Sequence, residues 1–178
     1  MMDDREREIL QRLDAMVRDE QFRTVIDEIV PKLERRLETS TQSPLVWKPV
    51  PIMHYRDVLP SVVRSGWVFI IRCNSVTGAE RHPNSHQRMM SYRGSGDLQI
   101  WDGITWVPHL LTSDTDADLE RRWISIPPNV WHQAVVTNDN WVVVSFHTVH
   151  ENDLVEERPT STDLMVTTHR KYVARGDL

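Results

Sequence analysis

The stretch Glu80-Arg81-His82-Pro83-Asn84-Ser85-His86-Gln87-Arg88-Met89-Met90-Ser91-Tyr92-Arg93-Gly94-Ser95-Gly96-Asp97 decides how this chain is read. Two histidines lead into a short apolar and aromatic run that stops at a Gly-x-Gly-Asp turn. A second segment, Ile126-Pro127-Pro128-Asn129-Val130-Trp131-His132-Gln133, places a further histidine just after a proline turn. Around both lie runs rich in β-branched and aromatic residues, at 67–72, 89–92, 98–101, 105–107, 123–126, 130–137 and 141–148. Such residues suit a pleated, half-buried surface. Turn signals separate them: Thr77-Gly78, Gly94 to Asp97, Asp102-Gly103, Pro127-Pro128-Asn129 and Asn138-Asp139-Asn140. Many short strands at regular spacing predict a sandwich or a barrel.

Toward the N-terminus the composition changes. Residues 1–40 carry 19 of the 47 charged residues and contain no Gly, His or Trp. Ile9, Leu10, Leu13, Met16 and Val17 recur at helical spacing, and Phe22, Val25, Ile26, Ile29, Val30, Leu33 and Leu37 continue the pattern. The spacing predicts two helices, or one long helix that Pro31 bends or breaks by removing a donor and clashing with the preceding turn. Their apolar stripe has to be buried against the main domain or against a second copy of the chain, and a homodimer is the expected oligomer. Residues 41–60, with Pro44, Pro49, Pro51 and Pro60, read as a linker. Residues 61–178 then form the β domain with a C-terminal tail.

Composition excludes several classes. The chain has 178 residues, 39 % of them hydrophobic, which is enough for one core, and a net charge of −5, which is no electrostatic footprint for nucleic acid. Its apolar runs are too short to cross a bilayer as a helix, so no membrane partner is expected. Met-Met-Asp-Asp-Arg-Glu-Arg-Glu lacks the apolar core of a secretory signal, and a cytoplasmic location is the expectation. The single cysteine, Cys73, has no disulfide partner in the chain and reads as a small buried hydrophobe. Phosphate-binding loops, nucleophile elbows, His-Glu-x-x-His helices and paired Cys-x-x-Cys motifs are absent.

A histidine-bearing strand, a Gly-x-Gly-Asp turn and a later Pro-x-x-x-x-His resemble the cupin superfamily over about residues 67–148. The resemblance implies a mainly β fold, a cupin-type double-stranded β-helix (jelly-roll barrel), here with an N-terminal amphipathic helical extension. It also implies a metal in the barrel mouth. Pro127 and His132 match the second cupin motif, with Asn129 in place of its glycine. Asn enters the left-handed conformation more readily than most residues, so the exchange is tolerable. Counting back from Gly94, Gln87 stands where the family has its carboxylate ligand, His82 at the second histidine and Glu80 at the first.

Two ligand sets follow from that count: His82, His86 and His132, or His82, Gln87 and His132 with Glu80 joining. Imidazole binds a transition metal better than an amide oxygen does, and this favours His86. His82 and His86 are an even number of positions apart, so a regular strand would turn both into the barrel. Arg88 and Tyr92 share the face of His86, which suggests Arg88 for substrate binding and Tyr92 for proton transfer. His147 shares a face with Trp141, Val143 and Ser145, and is the other candidate proton carrier if that face is the lumen. Trp101 and Trp131 offer flat surfaces for a substrate, although such residues are more often core.

The expected function is a mononuclear metal-dependent enzyme, oxygenase-like, with Fe(II) first and Mn, Ni, Zn or Cu as alternatives. Its substrate would be a small organic molecule, anionic or aromatic. A non-catalytic small-ligand-binding cupin and a metal-free sugar isomerase or epimerase are the other readings, because one barrel hosts many functions.

Overall fold

The computed structural model describes residues 2–55, 57–160, 164 and 167–171. In chain order the elements are α1 (Asp4–Arg18), α2 (Glu20–Thr39), β1 (Leu45–Val50), β2 (Ser65–Ile71), β3 (Ser75–Val76), β4 (Gln87–Arg93), β5 (Ser95–Trp101), β6 (Trp106–Val107), β7 (Leu110–Thr112), α3 (Leu119–Arg122), β8 (Trp123–Ile126), β9 (His132–Val136), β10 (Trp141–His147), β11 (Val155–Pro159) and β12 (Thr167–Lys171).

Two antiparallel sheets face each other. One has the order β1-β2-β10-β4-β8 and the other β3-β9-β5-β6, with β7 also paired to β5. The β9–β10 pair crosses between the sheets. β9 inserts between β3 and β5, while β10 inserts between β2 and β4. This winding is that of a jelly roll, a mainly β fold with a helical N-terminal extension. Each run read as a strand is a strand. Beyond those, Leu45–Val50, within the stretch read as a linker, pairs with β2 as an edge strand, where Pro49 is tolerated because an edge residue need not donate to a neighbour.

Alternation along β4 and β10 sorts side chains between two cores. Met89, Trp141 and Val143 point between the sheets, where they meet Ile71, Leu98 and Ala134. Met90, Val142, Val144 and Phe146 point outward, against the helices. Close packing of the interior requires Gly96, because a Cβ there would overlap the Trp141 ring, whose Nε1 donates to Ser91 Oγ at 2.8 Å. Gly94, at φ +85°, makes the turn into β5 that a side chain would strain.

The helical stripe is buried on the chain's own barrel, so no second copy is needed to cover it. Leu10, Leu13, Phe22, Ile26 and Val30 are fully buried against the outer face of the β2-β10-β4 sheet. Each such side chain contributes about 2 kcal/mol on burial, which stabilises helices that would be marginal alone. Asp3 caps α1 by accepting from Glu6 N, and Asp19 caps α2 by accepting from Gln21 N and Phe22 N, so the break falls at Asp19. Pro31 does not break the helix: α2 runs continuously from Glu20 to Thr39. Pro31 lies on the exposed side, where water can take the carbonyl it leaves unpaired, and burial of Ile29, Val30 and Leu33 offsets the lost bond. Cys73 is half-buried rather than buried.

Candidate metal centre

Three side chains converge at one end of the barrel: ligand atoms of Glu80, His82 and His132 all lie within 4.8 Å of one another. Backbone pairing places them. Glu80 bridges to His132 in antiparallel fashion, through Glu80 N to His132 O and His132 N to Glu80 O, each at 2.9 Å. Asn129 adopts φ +65°, the left-handed conformation expected of it, and its N–H donates to His82 O at 3.1 Å, which ties the second motif to the first.

Both rings are held in one tautomer. His82 Nδ1–H donates to Val155 O at 3.0 Å and His132 Nδ1–H donates to Val130 O at 3.0 Å, which leaves Nε2 as the lone-pair nitrogen of each ring. Burial, opposed by the Glu80 carboxylate, holds His132 down to about 4, and burial likewise lowers His82. Both imidazoles are therefore neutral near pH 7, the form that ligates metals. Glu80 Oε1 lies 3.7 Å from His132 Nε2, while Oε2 takes a hydrogen bond from Arg158.

Gln87 faces the same space. With Glu80, His132, Phe69 and Met89 it lines a cavity of about 30 Å³. Its Nε2 donates to Ser145 Oγ at 3.1 Å. Among the described residues, Gln87 Oε1 and His132 Nε2 are both buried without a hydrogen-bond partner. Buried polar atoms are almost always satisfied, and two acceptors left open beside a carboxylate are the pattern a cation completes. The residues fit a divalent transition metal: two neutral imidazoles, a carboxylate and an amide oxygen. Ligand bonds of about 2.1 Å put donors at most about 4.2 Å apart, so closure needs only a small adjustment.

His147 lies behind this group. Its ring centroid is 5.0 Å from that of His82, and its nitrogens contact Ser85 Oγ and Ser145 Oγ, each at 3.2 Å. Burial, reinforced by His82 and His132, holds its pKa well below the ordinary value. Trp141, Val143, Ser145 and His147 share one face of β10, and Trp141 and Val143 on it pack between the sheets. With both nitrogens on hydroxyls, His147 sits as an orienting residue rather than at the cavity wall.

The remaining candidates are elsewhere. His86 is not brought to the ligands. The β4 phase turns Gln87 inward and His86 outward, where His86 Nε2 contacts Ser125 Oγ at 2.7 Å and lies 3.7 Å from Glu6 Oε1. Pro83-Asn84 break the strand phase between His82 and His86, so even spacing did not place both inside. Arg88 and Tyr92 do share the face of His86, but that face meets the helices. Arg88 donates to both Glu6 oxygens, at 2.7 and 2.8 Å, and Tyr92 OH donates to Asp27 at 2.9 Å. Trp131 lies under the Arg81 guanidinium, 4.6 Å from its centroid, and Trp101 packs edge-on against Trp106 at 5.4 Å. Neither lines the cavity.

Sequence reading missed the orienting groups on β11, Val155 O and Arg158, because residues past 150 fall outside the motifs. Val155-Glu156-Glu157-Arg158 shows no apolar alternation that would mark it as a strand.

No family model and no curated protein matches the chain. Solved structures similar to it include pumpkin seed globulin, at 16 % identity over 66 % of this chain and 28 % of that one, with a TM-score of 0.49. Oxalate oxidase in complex with the substrate analogue glycolate is similar at 17 % identity, over 61 % of this chain and 53 % of that one, with a TM-score of 0.44. KdgF from Halomonas sp. is similar at 15 % identity, over 61 % of this chain and 83 % of that one, with a TM-score of 0.42. The chain spans less than a third of the length of the seed globulins it matches. At these identities and TM-scores the likenesses bear on neither ligand nor activity. Among the described residues, no helix is long and apolar enough to cross a membrane.

Proposed function

We propose that the chain is a mononuclear metal-dependent enzyme of oxygenase type, with the ion held by His82, His132, Glu80 and Gln87. The carrying observation is the pair of unsatisfied buried acceptors, Gln87 Oε1 and His132 Nε2, facing one cavity with Glu80. A bound divalent ion, Fe(II) ahead of Mn, Ni, Zn or Cu, would supply Lewis acidity and, as iron, redox chemistry toward dioxygen. The protein's part is to fix the ligands, keep both imidazoles neutral and exclude bulk water. One carboxylate among neutral ligands leaves a divalent ion net positive, which favours an anionic substrate. A cavity of about 30 Å³ holds a few atoms at most, so a small carboxylate fits the reading and an aromatic ring does not.

A second reading, a non-catalytic ion-binding barrel, is favoured by that same small cavity and by the hydrogen bonds of β11 to His82 and Glu80, since structural metal sites are closed. Elemental analysis of protein purified without added metal tests the centre: one ion per chain is expected, and none in His132→Ala. Dioxygen uptake by the iron-loaded protein with a panel of small carboxylates separates the two readings. Uptake with none of them leaves the binding reading standing.

A further inference from the structure

β11 runs alongside the ligand-bearing segment and contacts two of the four proposed ligands. Val155 O accepts from His82 Nδ1 at 3.0 Å. Arg158 donates to Glu80 Oε2 and, through Nη1, to Thr77 O at 3.0 Å. Arg158 Nε in turn donates to Glu156 Oε1 at 2.8 Å, and Glu156 is itself buried. The strand is zipped to the ligand-bearing segment. Arg81 N donates to Glu157 O at 3.1 Å and Glu157 N to Arg81 O at 2.9 Å, while Asn84 Oδ1 accepts from Val155 N at 3.1 Å. Leu154, fully buried against Trp47 and Trp67, anchors the end at which the strand begins.

We infer that β11 is the outer shell of the metal centre, with Arg158 and the Val155 carbonyl as positioning groups, so that ion binding and docking of this strand are thermodynamically linked. This rests on the metal reading above. Arg158 holds Glu80 by one oxygen and leaves the other directed at His132. The Val155 carbonyl fixes the His82 tautomer that carries its lone pair on Nε2. Outer partners of this kind set ligand orientation and basicity, and removing one weakens metal affinity by about 10- to 100-fold. Charge does not argue against a cationic neighbour here. Glu80, Arg158 and Glu156 together carry −1, which complements a divalent cation beside neutral imidazoles. Linkage is reciprocal: whatever β11 does for the ion, the ion does for β11.

The test titrates chelator-treated protein with Zn(II) alone and follows backbone hydrogen exchange with and without the ion. Arg158→Gln removes one positioning group. Leu154→Ala loosens the strand without touching a ligand, and retained near-ultraviolet dichroism shows that each variant folds. Both variants are expected to bind Zn(II) at least tenfold more weakly than wild type, with Arg158→Lys recovering part of the loss. In wild type, Zn(II) should slow exchange at the Val155 and Glu157 amides while leaving Val143 and Val144 unchanged, and His132→Ala should show no such slowing. If wild type binds Zn(II) and His132→Ala does not, yet Arg158→Gln binds within twofold of wild type or more tightly, or exchange in β11 ignores the ion, the linkage is wrong and the metal centre stands. If wild type binds no better than His132→Ala, the metal centre falls and the linkage falls with it.

Discussion

Gln87 Nε2 donates to Ser145 Oγ at 3.1 Å, and this contact decides which end of the amide faces the cavity. Ser145 Oγ also lies 3.2 Å from His147 Nε2, and His147 Nδ1 lies 3.2 Å from Ser85 Oγ, which takes a hydrogen bond from Thr148 N. Because Ser145 Oγ accepts from the amide and Ser85 Oγ donates to His86 O, the donor direction that fits all the contacts is amide to Ser145, Ser145 to His147, His147 to Ser85. Gln87 Oε1 is thereby left as the open acceptor of a residue that lines one cavity with His132 and Glu80, which suits the proposed ligand role without adding charge.

Ser145→Ala is expected to release the amide and lower Zn(II) affinity about tenfold. It also leaves two buried polar groups without a partner, at a stability cost of about 1 to 3 kcal/mol. Calorimetric titration and urea denaturation read the two effects separately. An unchanged affinity in a destabilised variant would show that Ser145 is structural only.

The first motif offers a direct contest between neighbours. His86→Ala should keep a full equivalent of metal, because its ring sits on Ser125 beneath α1, outside the barrel. Gln87→Ala should weaken binding, because it removes an inward oxygen. Metal content of the two purified variants decides it, and loss of the ion from His86→Ala would overturn the ligand set.

The barrel was legible because its strands alternate and its turns carry Gly, Asn and Pro at the positions that need them. Glu80, His82, Gln87 and His132 were legible through their count from Gly94 and Pro127. Ligand chemistry, taken alone, pointed to His86. A single phase break at Pro83-Asn84 defeated the even spacing, and no local pattern reveals such a break. Arg88 and Tyr92 were grouped correctly with His86, yet the choice of inner or outer face depends on where α1 and α2 dock. That docking is tertiary, and equal periodicity on both faces of β4 hides it. Trp101 and Trp131 illustrate the same gap, since aromatic rings near a motif pack against one another or under an arginine as readily as against a ligand.

The outward face of β4 has its own consequence, for stability. Arg88 is 4 % exposed and donates to both oxygens of Glu6 on α1, and Ser125 Oγ donates to Glu6 as well. Burial pushes the Glu6 carboxyl up, but the bonds from Arg88 and Ser125 outweigh it and hold the group below its ordinary value. Glu6→Gln leaves a buried guanidinium without its counter-charge and is expected to cost about 3 kcal/mol. Urea denaturation should show the midpoint fall at unchanged slope, while metal content stays at one equivalent. An unchanged midpoint would mean that α1 is held by its apolar stripe alone.

The final prediction concerns pH in the metal-free protein. His132 is held down to about 4 by burial, against the opposing pull of Glu80, and burial also lowers His82 and His147. In the unfolded chain these rings titrate at about 6.5. Between the folded and unfolded values the unfolded state binds more protons, so stability rises with pH there. Their contribution is therefore full above about pH 6.5 and is lost as the pH falls toward the folded values. For His132 alone the loss between pH 7 and pH 5 is on the order of 2 kcal/mol, since each pH unit below 6.5 removes about 1.4 kcal/mol. Carboxylates remain largely ionised over that interval, which keeps their own titration out of the comparison. Thermal denaturation of chelator-treated wild type should therefore show a marked fall in melting temperature from pH 7 to pH 5. His132→Asn, which keeps a polar group and removes the titration, should fall less. Equal falls in the two proteins would mean that His132 is not buried in neutral form, and the account of its ligand nitrogen would have to be abandoned.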